Sequence, residues 1–540
     1  MSKQKVALFG ASGTMGFQAF QELWKRREKY DLSILVLPAE QKQGKFGPYA
    51  RLAGVPTTHG PGVAQGDGLK IVWGDATRYA DVAETVRGAD WVLNAMAYIS
   101  PMADYHPEMA RAVNVDAIGH IIQAIEAEPH GAERIRYVHT STVAATGNRP
   151  VGIHVGRVGD PLKPSVFDYY ALTKIAGERQ VLESRLEHWV SLRMTFIMPT
   201  NYQELFALSD AILFHMPLDA RMENITDRDA GFGLVNCLDI PADSDFWRRV
   251  YNMGGGPTMR TTAYDFLANS YRHNGLCVEA CIERNWFAVR NFHMQYYEDS
   301  DILNGYLHHW RDTPTRHAQA IAQSQPIGLR LVVLLARRVP AVRRLIEKAV
   351  RSRLKKLAER HPNSPRYWVI HGKDMRVSAF FKSYAAYAAI PGWGVDMPNL
   401  DPGAPWERLH HGYDEAKAHL DLHDLQGAAR FRGGRCLSNS WDGDLYAPVN
   451  WVCAFGHPFA ARPYTVLKAG HWCPVCVATW SGDAQARHNP FFAQVWYADH
   501  DPDENNVYPD DCIQDIRDAD RKPDSSPSDV RRRRRSWSWA

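Results

Sequence analysis

The N-terminal stretch constrains the fold most, because an apolar run meets closely spaced glycines and then a helical pattern. The run spans residues 5–9 (KVALF), and Gly10, Gly13 and Gly16 follow it. Glycines at such a turn let the backbone approach a pyrophosphate, whose charge is stabilised by the free amides of a helix N-terminus. The spacing is GxxGxxG rather than GxGxxG, and a purely structural turn is the alternative. We predict a dinucleotide site here.

Further short apolar runs alternate with helical stretches along the first half of the chain. Strands are predicted at 5–9, 32–37, 69–73, 89–97, 135–139, 189–197 and 249–253. Alternation at this spacing is typical of an α/β protein with a doubly wound parallel sheet.

The residues after the second strand bear on the choice between NAD and NADP. Leu37 and Pro38 stand where an acidic residue would bind the ribose 2′-hydroxyl of NAD. This absence favours NADP slightly, with Lys42 or Lys45 near the 2′-phosphate. Glu40 leaves NAD open.

A tyrosine and a lysine lie four residues apart in the helical stretch 167–179. At that spacing Tyr170 and Lys174 reach one ligand from the same helical face. An adjacent ammonium favours the phenolate and lowers the phenol pKa, so the pair suits proton transfer to or from a substrate oxygen. The alternative is a pair of plain surface residues.

Small and hydroxyl-bearing residues end two of the predicted strands. Ala95 and Ala97 end one strand and leave space for a cofactor to lie close. Ser141 and Thr142 end another and offer hydroxyls at the carboxyl edge of the sheet, where ligands bind in open parallel sheets.

Several motifs occur in order: GASGTMG, GDAT, NAMA, Asn114-Val115, HTSTVAATG, YALTK with IAGE, LRMTF and YNMGGGPT. Together they resemble the extended short-chain dehydrogenase/reductase superfamily, in its epimerase/dehydratase-like branch, over roughly residues 4–290. The resemblance implies a Rossmann fold, a nicotinamide cofactor and a smaller substrate-binding part between about 202 and 300. The chain departs from the family pattern at Thr146 and at Met198-Pro199-Thr200, both on the substrate side.

The resemblance also implies residue roles. Tyr170 is the acid/base, Lys174 binds the nicotinamide ribose, and Thr142 hydrogen-bonds the substrate oxygen, with Ser141 as the fallback. Asp75 lies near the adenine. The full predicted cofactor set is Gly10, Ser12, Gly13, Thr14, Met15, Gly16, Asp75, Ala76, Ala95, Ala97, Asn114, Tyr170, Lys174 and Pro199.

A second constellation lies near the C-terminus, where Cys453-x3-His457 precedes Cys473-x2-Cys476. Three thiolates and one imidazole at this spacing make a tetrahedral zinc site, and four protein ligands leave no open position for catalysis. Residues 420–478 resemble treble-clef-like zinc modules, with Cys436 and His471 as spare ligands. We predict structural zinc that supports folding or dimerisation. Nucleic-acid binding is not expected.

The region 326–361 contains IGLRLVVLLARRV, then Pro340, then AVRRLIEKAVRSRLKKLAER. From 330 to 360 there are eleven Lys or Arg against two Glu. Val342, Leu345, Ile346, Ala349, Val350, Leu354 and Leu357 form one apolar helical stripe. The favoured interpretation is a helix docked by this stripe. The alternative is contact with an anionic membrane surface or an acidic carrier protein.

Four regions are predicted. An NAD(P)-binding Rossmann domain with its interleaved substrate-binding part covers 1–300, and a mainly helical region covers 301–415. The zinc-binding module covers 416–498, and a tail expected to be disordered, acidic and then arginine-rich, covers 499–540.

The composition limits the kind of protein and the partners that are expected. The chain has 540 residues, 45% of them hydrophobic, and a net charge of +3, which gives no general attraction to nucleic acid. The N-terminus lacks an apolar signal region, and no apolar run approaches the roughly 20 residues needed to span a bilayer. Eight cysteines, half of them in one C-terminal stretch, indicate metal ligation in a reducing cytoplasm.

Three functions follow from these observations. The preferred one is an NAD(P)-dependent enzyme that moves hydride at a ketone or secondary alcohol of a small molecule. The second is an epimerase or dehydratase of a sugar nucleotide that retains its NAD. A non-catalytic nucleotide sensor is disfavoured because Thr142, Tyr170 and Lys174 are all present.

Overall fold

The computed structural model describes residues 3–205, 210–395, 397, 401 and 403–509. Its central element is an eight-stranded sheet. The strands are β1 (Gln4–Phe9), β2 (Tyr30–Val36), β3 (Gly62–Gly66), β4 (Leu69–Trp73), β5 (Trp91–Asn94), β6 (Arg136–Thr142), β7 (Trp189–Met194) and β8 (Arg249–Met253).

The strand order is β8-β7-β6-β5-β1-β2-β4-β3, and all neighbours are parallel except β3 with β4. The chain order reverses at β1, which pairs with β2 on one side and with β5 on the other. In open parallel sheets, ligands bind outside the carboxyl ends of the strands at this reversal. The glycine turn follows β1 and therefore lies at that point.

Helices cover both faces of the sheet. Those of seven or more residues are α1 (Thr14–Lys25), α2 (Tyr79–Val86), α3 (Ala117–Ala127), α4 (Tyr169–Leu182), α5 (Asp227–Asn236), α6 (Ala263–His273), α7 (Ser300–Leu307), α8 (Pro314–Ser324), α9 (Ile327–Arg338), α10 (Pro340–Arg360), α11 (Asp374–Phe381), α12 (Leu422–Phe431), α13 (Gly482–His488) and α14 (Pro490–Trp496). Shorter helices include Gly47–Leu52, Met102–Tyr105, Pro107–Arg111, Gly131–Arg134, Tyr202–Leu205, Val278–Cys281, Pro365–Ile370, Tyr384–Ala388 and Pro474–Val477.

Strand β1 shows why the sheet is buried on both faces. Val6 and Leu8 point into one apolar core, and Ala7 and Phe9 point into another. Successive strand residues alternate between faces, so a strand covered on both sides is apolar throughout. The α/β doubly wound class predicted from the sequence is confirmed, and so is its Rossmann-like character.

The sequence missed strand β3. Its residues, GVAQG, are poor in apolar side chains, and the strand pairs antiparallel at the edge of the sheet. An edge strand buries little, so it carries no strong hydrophobic pattern. The predicted strand 189–197 is shorter in the structure, because β7 ends at Met194 and Ile197–Met198 pairs separately with Ile225–Thr226.

Smaller two-stranded units lie outside the main sheet. Val155–Gly156 pairs with Tyr296–Tyr297, and Arg221–Glu223 pairs with Arg260–Thr262. The C-terminal module contains a three-stranded antiparallel sheet of β9 (Arg435–Cys436), β10 (Val449–Val452) and β11 (Pro458–Ala461). The four domain boundaries remain predictions. The expectation of disorder from residue 499 onward is wrong for the first part of the tail, because Asp499 pairs with Lys163 at 2.9 Å and Tyr508 is buried in an apolar cluster. Residues 510–540 lie outside the described chain.

A buried charge network joins the C-terminal module to the sheet. Glu178 of α4 accepts hydrogen bonds from Arg193 of β7 at 2.7 Å and from Ser191 at 2.8 Å. His471 Nε2 of the module lies 3.0 Å from the same carboxylate, and Arg193 also donates to the Ala469 carbonyl. All of these charged side chains are almost completely buried.

The network is held in one protonation state near neutral pH. Although burial opposes it, the Arg193 guanidinium and His471 hold the pKa of Glu178 well below its usual range. Burial lowers the pKa of His471 to about 4, so its imidazole is neutral at pH 7. Stability from Glu178 is therefore present above the ordinary carboxyl pKa and is lost as the pH falls below it.

Within the described ranges, no helix has both the length and the apolar character needed to cross a membrane.

Replacing Glu178 tests the network. Glu178→Gln leaves the Arg193 guanidinium buried without a counter-charge, so we expect the free energy of unfolding to fall by about 3–5 kcal/mol. Glu126→Gln is the matched control, because Glu126 pairs with the exposed Arg185 and should cost about 1 kcal/mol or less. Urea denaturation measures both, and equal small losses would show that the network does not stabilise the joint.

Candidate functional site

The glycine turn after β1 has room only for glycine at two positions. Gly10 has a left-handed φ of +76°, and a Cβ on it would lie 2.7 Å from the Ala95 carbonyl carbon. A Cβ on Gly16 would lie 1.9 Å from the Gly10 carbonyl oxygen. Gly13 is extended and begins α1 without a side-chain cap. The amides of the first helical turn are therefore available to an anion.

The other predicted residues of the turn make contacts that fix its edge. Lys45 donates from Nζ to the Ser12 carbonyl oxygen at 2.7 Å and lies over the Phe17 ring. Thr14 donates to Glu204 at 3.1 Å, and Met15 is buried in the core. A positive charge is thus fixed at the entrance to the glycine turn.

Asp75 and Ala76 follow β4 at the same edge of the sheet. The Asp75 carboxylate accepts hydrogen bonds from the Thr77 amide and hydroxyl, both at 2.9 Å. Ala76 is buried, and its carbonyl oxygen lies 3.2 Å from His120 Nδ1. Asp75 therefore shapes the loop in which the sequence places the adenine.

Asn114 and Pro199, both predicted to bind the cofactor, make hydrogen bonds to other parts of the protein in this structure. The Asn114 amide donates to Thr173 Oγ1 of α4 at 3.0 Å and to the Tyr98 carbonyl at 2.9 Å, and its oxygen accepts from the Tyr98 amide. The Pro199 carbonyl lies 3.0 Å from His317 Nε2. Asn114 thereby fixes the loop after β5, which contains Ala97, against α4.

Two of the three predicted catalytic residues meet at the carboxyl end of β6, and the third binds the same strand two residues earlier. The Tyr170 phenol is hydrogen-bonded to the Thr142 side chain, and both residues are buried or half-buried. Lys174 follows one turn later on α4 and donates from Nζ to the Thr140 carbonyl at 2.5 Å. A tyrosine, a lysine and a strand-end hydroxyl are therefore assembled at one edge of the sheet.

The ionisation of this group differs from the expectation that Lys174 lowers the tyrosine pKa. Burial raises the pKa of Tyr170 to about 12, an effect opposed by the Thr142 hydrogen bond and increased by Asp168. Burial also lowers the pKa of Lys174 to about 8, against the influence of Glu178. Desolvation penalises each charged form, so the phenol is protonated at neutral pH.

Polar atoms without partners surround this group. In the part of the chain that the structure describes, neither Ser141 Oγ nor His139 Nε2 has a hydrogen-bond partner, although both are buried. Burial holds the pKa of His139 well below its usual range, and the Lys174 charge adds to this effect. Buried polar atoms are normally satisfied, so these two are available to a ligand.

The sequence missed a pair of acidic residues beside Tyr170. Asp168 caps α4 by accepting from the Ala171 amide at 2.8 Å, and Asp104 accepts from the Tyr169 amide at 3.1 Å. Burial, with Asp168 nearby, raises the pKa of Asp104 well above its usual range. A cavity of about 40 Å³ lies between these carboxyls and His293, whose Nδ1 is 3.4 Å from Asp168.

Residues 285–301 (NWFAVRNFHMQYYEDSD) are dense in aromatic side chains and contain one member of this cluster. His293 lies in that segment and faces the cavity. Arg290 does not, because it pairs with Glu504 at 2.7 Å and donates to the Ser378 carbonyl. The acidic partners could not be found from sequence, since Asp104 and Asp168 are 64 positions apart.

A larger cleft, of about 410 Å³, lies on the opposite side of α4. Its lining includes Leu172 and Ile175 of α4 and Cys473 and Trp480 of the C-terminal module. These two positions lie about 160° and about 100° around the helix from Lys174, so they face a different side of α4. The cleft belongs to the joint with the module and not to the tyrosine site.

The four predicted metal ligands converge in the C-terminal module. Ligand atoms of Cys453, His457, Cys473 and Cys476 all lie within 4.8 Å of one another. His457 Nδ1 lies 3.4 Å from Cys453 Sγ, 3.7 Å from Cys473 Sγ and 3.5 Å from Cys476 Sγ. The sulfurs of Cys453 and Cys476 are 3.7 Å apart.

Those separations match the edges of a zinc tetrahedron. Zn–S bonds of about 2.3 Å and Zn–N bonds of about 2.0 Å place sulfurs about 3.8 Å apart and sulfur about 3.5 Å from nitrogen. Cys436 lies in β9, outside this group, and His471 is bound to Glu178. The donor set therefore fits tetrahedral zinc.

Comparison with known proteins finds a family similarity in the first part of the chain. The family model described as "NAD dependent epimerase/dehydratase family" matches residues 6–203. Residues 6–203 are therefore similar to this family. The match contains the glycine turn, Thr142, Tyr170 and Lys174. No curated protein matches the chain.

Solved structures similar to the chain share little sequence with it. A UDP-glucuronic acid 4-epimerase from Bacillus cereus, solved with NAD, is 15% identical, with a TM-score of 0.44 over 59% of this chain and 98% of that one. A dTDP-glucose 4,6-dehydratase from Streptomyces venezuelae, solved with NAD, is 18% identical, with a TM-score of 0.44 over 59% and 95%. An L-threonine dehydrogenase from Phytophthora infestans is 13% identical, with a TM-score of 0.41 over 59% and 98%.

Gly13 and Gly16 of the glycine turn differ in how well they tolerate an added methyl group. In Gly16→Ala the new Cβ meets the Gly10 carbonyl at 1.9 Å, so we expect a loss of about 2 kcal/mol or more in unfolding free energy. In Gly13→Ala the nearest atom is 3.4 Å away and φ is −68°, so the loss should stay below about 1 kcal/mol. Thermal unfolding measures both, and equal losses would contradict this geometry.

Proposed function

We propose that the protein is an NAD(P)-dependent oxidoreductase that transfers hydride at a ketone or secondary alcohol of a small molecule, with Tyr170 as the acid/base. The observation that carries the proposal is the hydrogen bond between Tyr170 and Thr142 at the carboxyl end of β6, beside Lys174. That edge of the sheet also holds the glycine turn after β1. An acid and a cofactor turn at one sheet edge are what hydride transfer to a carbonyl requires.

The bound cofactor would supply or accept the hydride. The side chains of the protein bind the substrate oxygen and transfer its proton. With a pKa of about 12, Tyr170 carries its proton at neutral pH and can donate it to the oxygen as a carbonyl is reduced. Thr142 orients the phenol, and the Lys174 ammonium beside it stabilises the negative charge that develops on the oxygen.

The glycine turn and its rim fit a dinucleotide. Gly10 and Gly16 leave no space for side chains, so the backbone is open to a pyrophosphate beside the helix amides. The Lys45 ammonium, which donates to the Ser12 carbonyl, supports NADP as the cofactor, because an ammonium beside the glycine turn can pair with a 2′-phosphate. Glu40 is the counter-argument, since one buried oxygen of its carboxylate has no partner among the described residues and could accept from the ribose of NAD.

The second candidate is an NAD-retaining epimerase or dehydratase acting on a sugar nucleotide. The family match over residues 6–203 supports it, because that family model is named for these reactions. The two proposals differ in cofactor release. Denaturing the purified protein and identifying the nucleotide by mass spectrometry separates them, since stoichiometric NAD supports the second and an empty site that binds NADPH supports the first.

We further propose that Cys453, His457, Cys473 and Cys476 hold one structural zinc ion. The matching tetrahedral separations support this, and all four donors are protein atoms, so no position remains for substrate. The metal would stiffen the module that places His471 on Glu178 and the Trp472 carbonyl on Arg179. A homodimer remains a prediction from the sequence.

Removing the Tyr170 hydroxyl tests the mechanism. Tyr170→Phe should lower turnover at least a hundredfold because the proton donor is lost, while NADPH binding by fluorescence titration stays within about twofold. Tyr169→Phe is the matched control, since the Tyr169 ring packs against Trp480 on the module side of α4. Full turnover by Tyr170→Phe would remove this residue from the mechanism.

Removing one thiolate tests the metal. Cys473→Ser should reduce zinc from one equivalent to a small fraction and lower the unfolding temperature, because one of four ligands is lost. Cys436→Ser is the control and should keep its zinc, as Cys436 lies outside the cluster. Plasma emission spectrometry on both proteins gives the content, and a full equivalent in Cys473→Ser would exclude this residue as a ligand.

A further inference from the structure

Helix α9 presents its apolar side to solvent. Ile327, Leu331 and Leu335 are 77%, 57% and 50% exposed, and they recur every four residues along one face. Leu334 and Val332 are exposed beside them. The opposite side of the helix touches the protein through the small residue Ala336, which packs against Gly275. A surface helix normally buries its apolar side, so this orientation is inverted.

The following helix is oriented as the sequence predicted over its second half. Val350, Leu354 and Leu357 of α10 pack on the cluster that contains Phe214 and Trp286. The first half is different, because Leu345 is 70% exposed. Helix α10 therefore anchors α9 to the protein while the exposed apolar surface continues from α9 into the first turns of α10.

Basic residues flank this apolar surface and acidic ones are turned inward. Between 330 and 360 the chain has eleven Lys or Arg and two Glu. Glu347 is buried and accepts a hydrogen bond from the Cys277 amide. Arg338, Arg344 and Lys348 are exposed. The rim of the apolar surface is consequently positive.

We propose that α9 and the first turns of α10, the 327–348 surface, lie on an anionic lipid bilayer. A helix with exposed leucines, isoleucine and valine and a basic border has the composition of an interfacial helix. Its 12 residues rise about 18 Å, so it lies along the membrane rather than across it. Exposed apolar patches of this kind on a folded surface mark interaction sites.

The charge argues against a second copy of the chain as the occupant. A two-fold interface built on this surface would bring the same patch on both subunits together, and each patch carries the same basic border. Anionic headgroups instead pair with these cations, at about 1 kcal/mol for each Lys or Arg near the surface.

The surface lies beside the substrate side of the domain. Helix α8, which leads into α9, accepts a hydrogen bond at Ser324 Oγ from the Tyr202 amide at 2.8 Å. Two residues later, Glu204 accepts from Thr14 at the start of α1. Membrane contact is independent of Tyr170, so its test does not depend on turnover.

Flotation with lipid vesicles tests the proposal. The full chain is mixed with vesicles of phosphatidylcholine and phosphatidylglycerol, or of phosphatidylcholine alone, and the bound fraction is measured after centrifugation. We expect binding to the anionic vesicles that weakens as salt is raised. Leu331→Gln/Leu335→Gln should reduce the partition coefficient at least tenfold, because two leucines no longer enter the bilayer.

One control variant and one charge variant test whether binding is specific to this surface. Leu52→Gln/Val507→Gln removes two apolar residues that are each 77% exposed elsewhere, and it should bind like the unmodified protein. Arg338→Gln/Arg344→Gln should weaken binding about tenfold or more and reduce its salt dependence. Circular dichroism of every variant establishes that it is folded, which is expected because all of the replaced side chains are exposed.

Three outcomes would overturn the proposal. In the first, the unmodified protein does not float with anionic vesicles at low salt. In the second, the Leu331→Gln/Leu335→Gln variant binds as well as the unmodified protein does. In the third, light scattering shows a dimer that this variant converts to a monomer while vesicle binding is absent, which would assign the surface to a second copy.

Discussion

The structure depends on helix α4 being enclosed on all sides. Its inner face directs Tyr170 and Lys174 to the end of β6, and Glu178 extends the same face into the buried network with Arg193. Its outer face contacts the C-terminal module, where Arg179 donates to the Trp472 carbonyl. A buried ion pair is costly to break, so the position of α4 relative to the sheet is specified by both layers together.

This enclosure connects two parts of the chain that the sequence presents as separate. The cluster of Cys453, His457, Cys473 and Cys476 is more than 270 residues from helix α4 in sequence, yet His471, two residues before Cys473, reaches Glu178. The Cys/His cluster and helix α4, which carries Tyr170, are thereby linked through one buried contact.

Much of the architecture follows from local patterns. Strands β1, β4 and β8 are buried apolar runs next to turns, so their bounds could be predicted to within a residue. The edge strand β3 could not, because it buries almost nothing. The small-residue requirement at Gly10 and Gly16 follows from spacing alone. The pKa of Tyr170 could not be predicted, since it depends on how much protein covers the phenol.

The sequence by itself determined the glycine turn, the tyrosine–lysine spacing and the four-residue cysteine–histidine pattern, because each is defined by residues at short separations. The tertiary structure alone decided which groups meet across long separations. It placed Asp104 beside Asp168, gave His471 to Glu178 rather than to the metal cluster, and turned the apolar side of α9 outward. Helical periodicity defines the faces of a helix, but only packing decides which of them meets solvent.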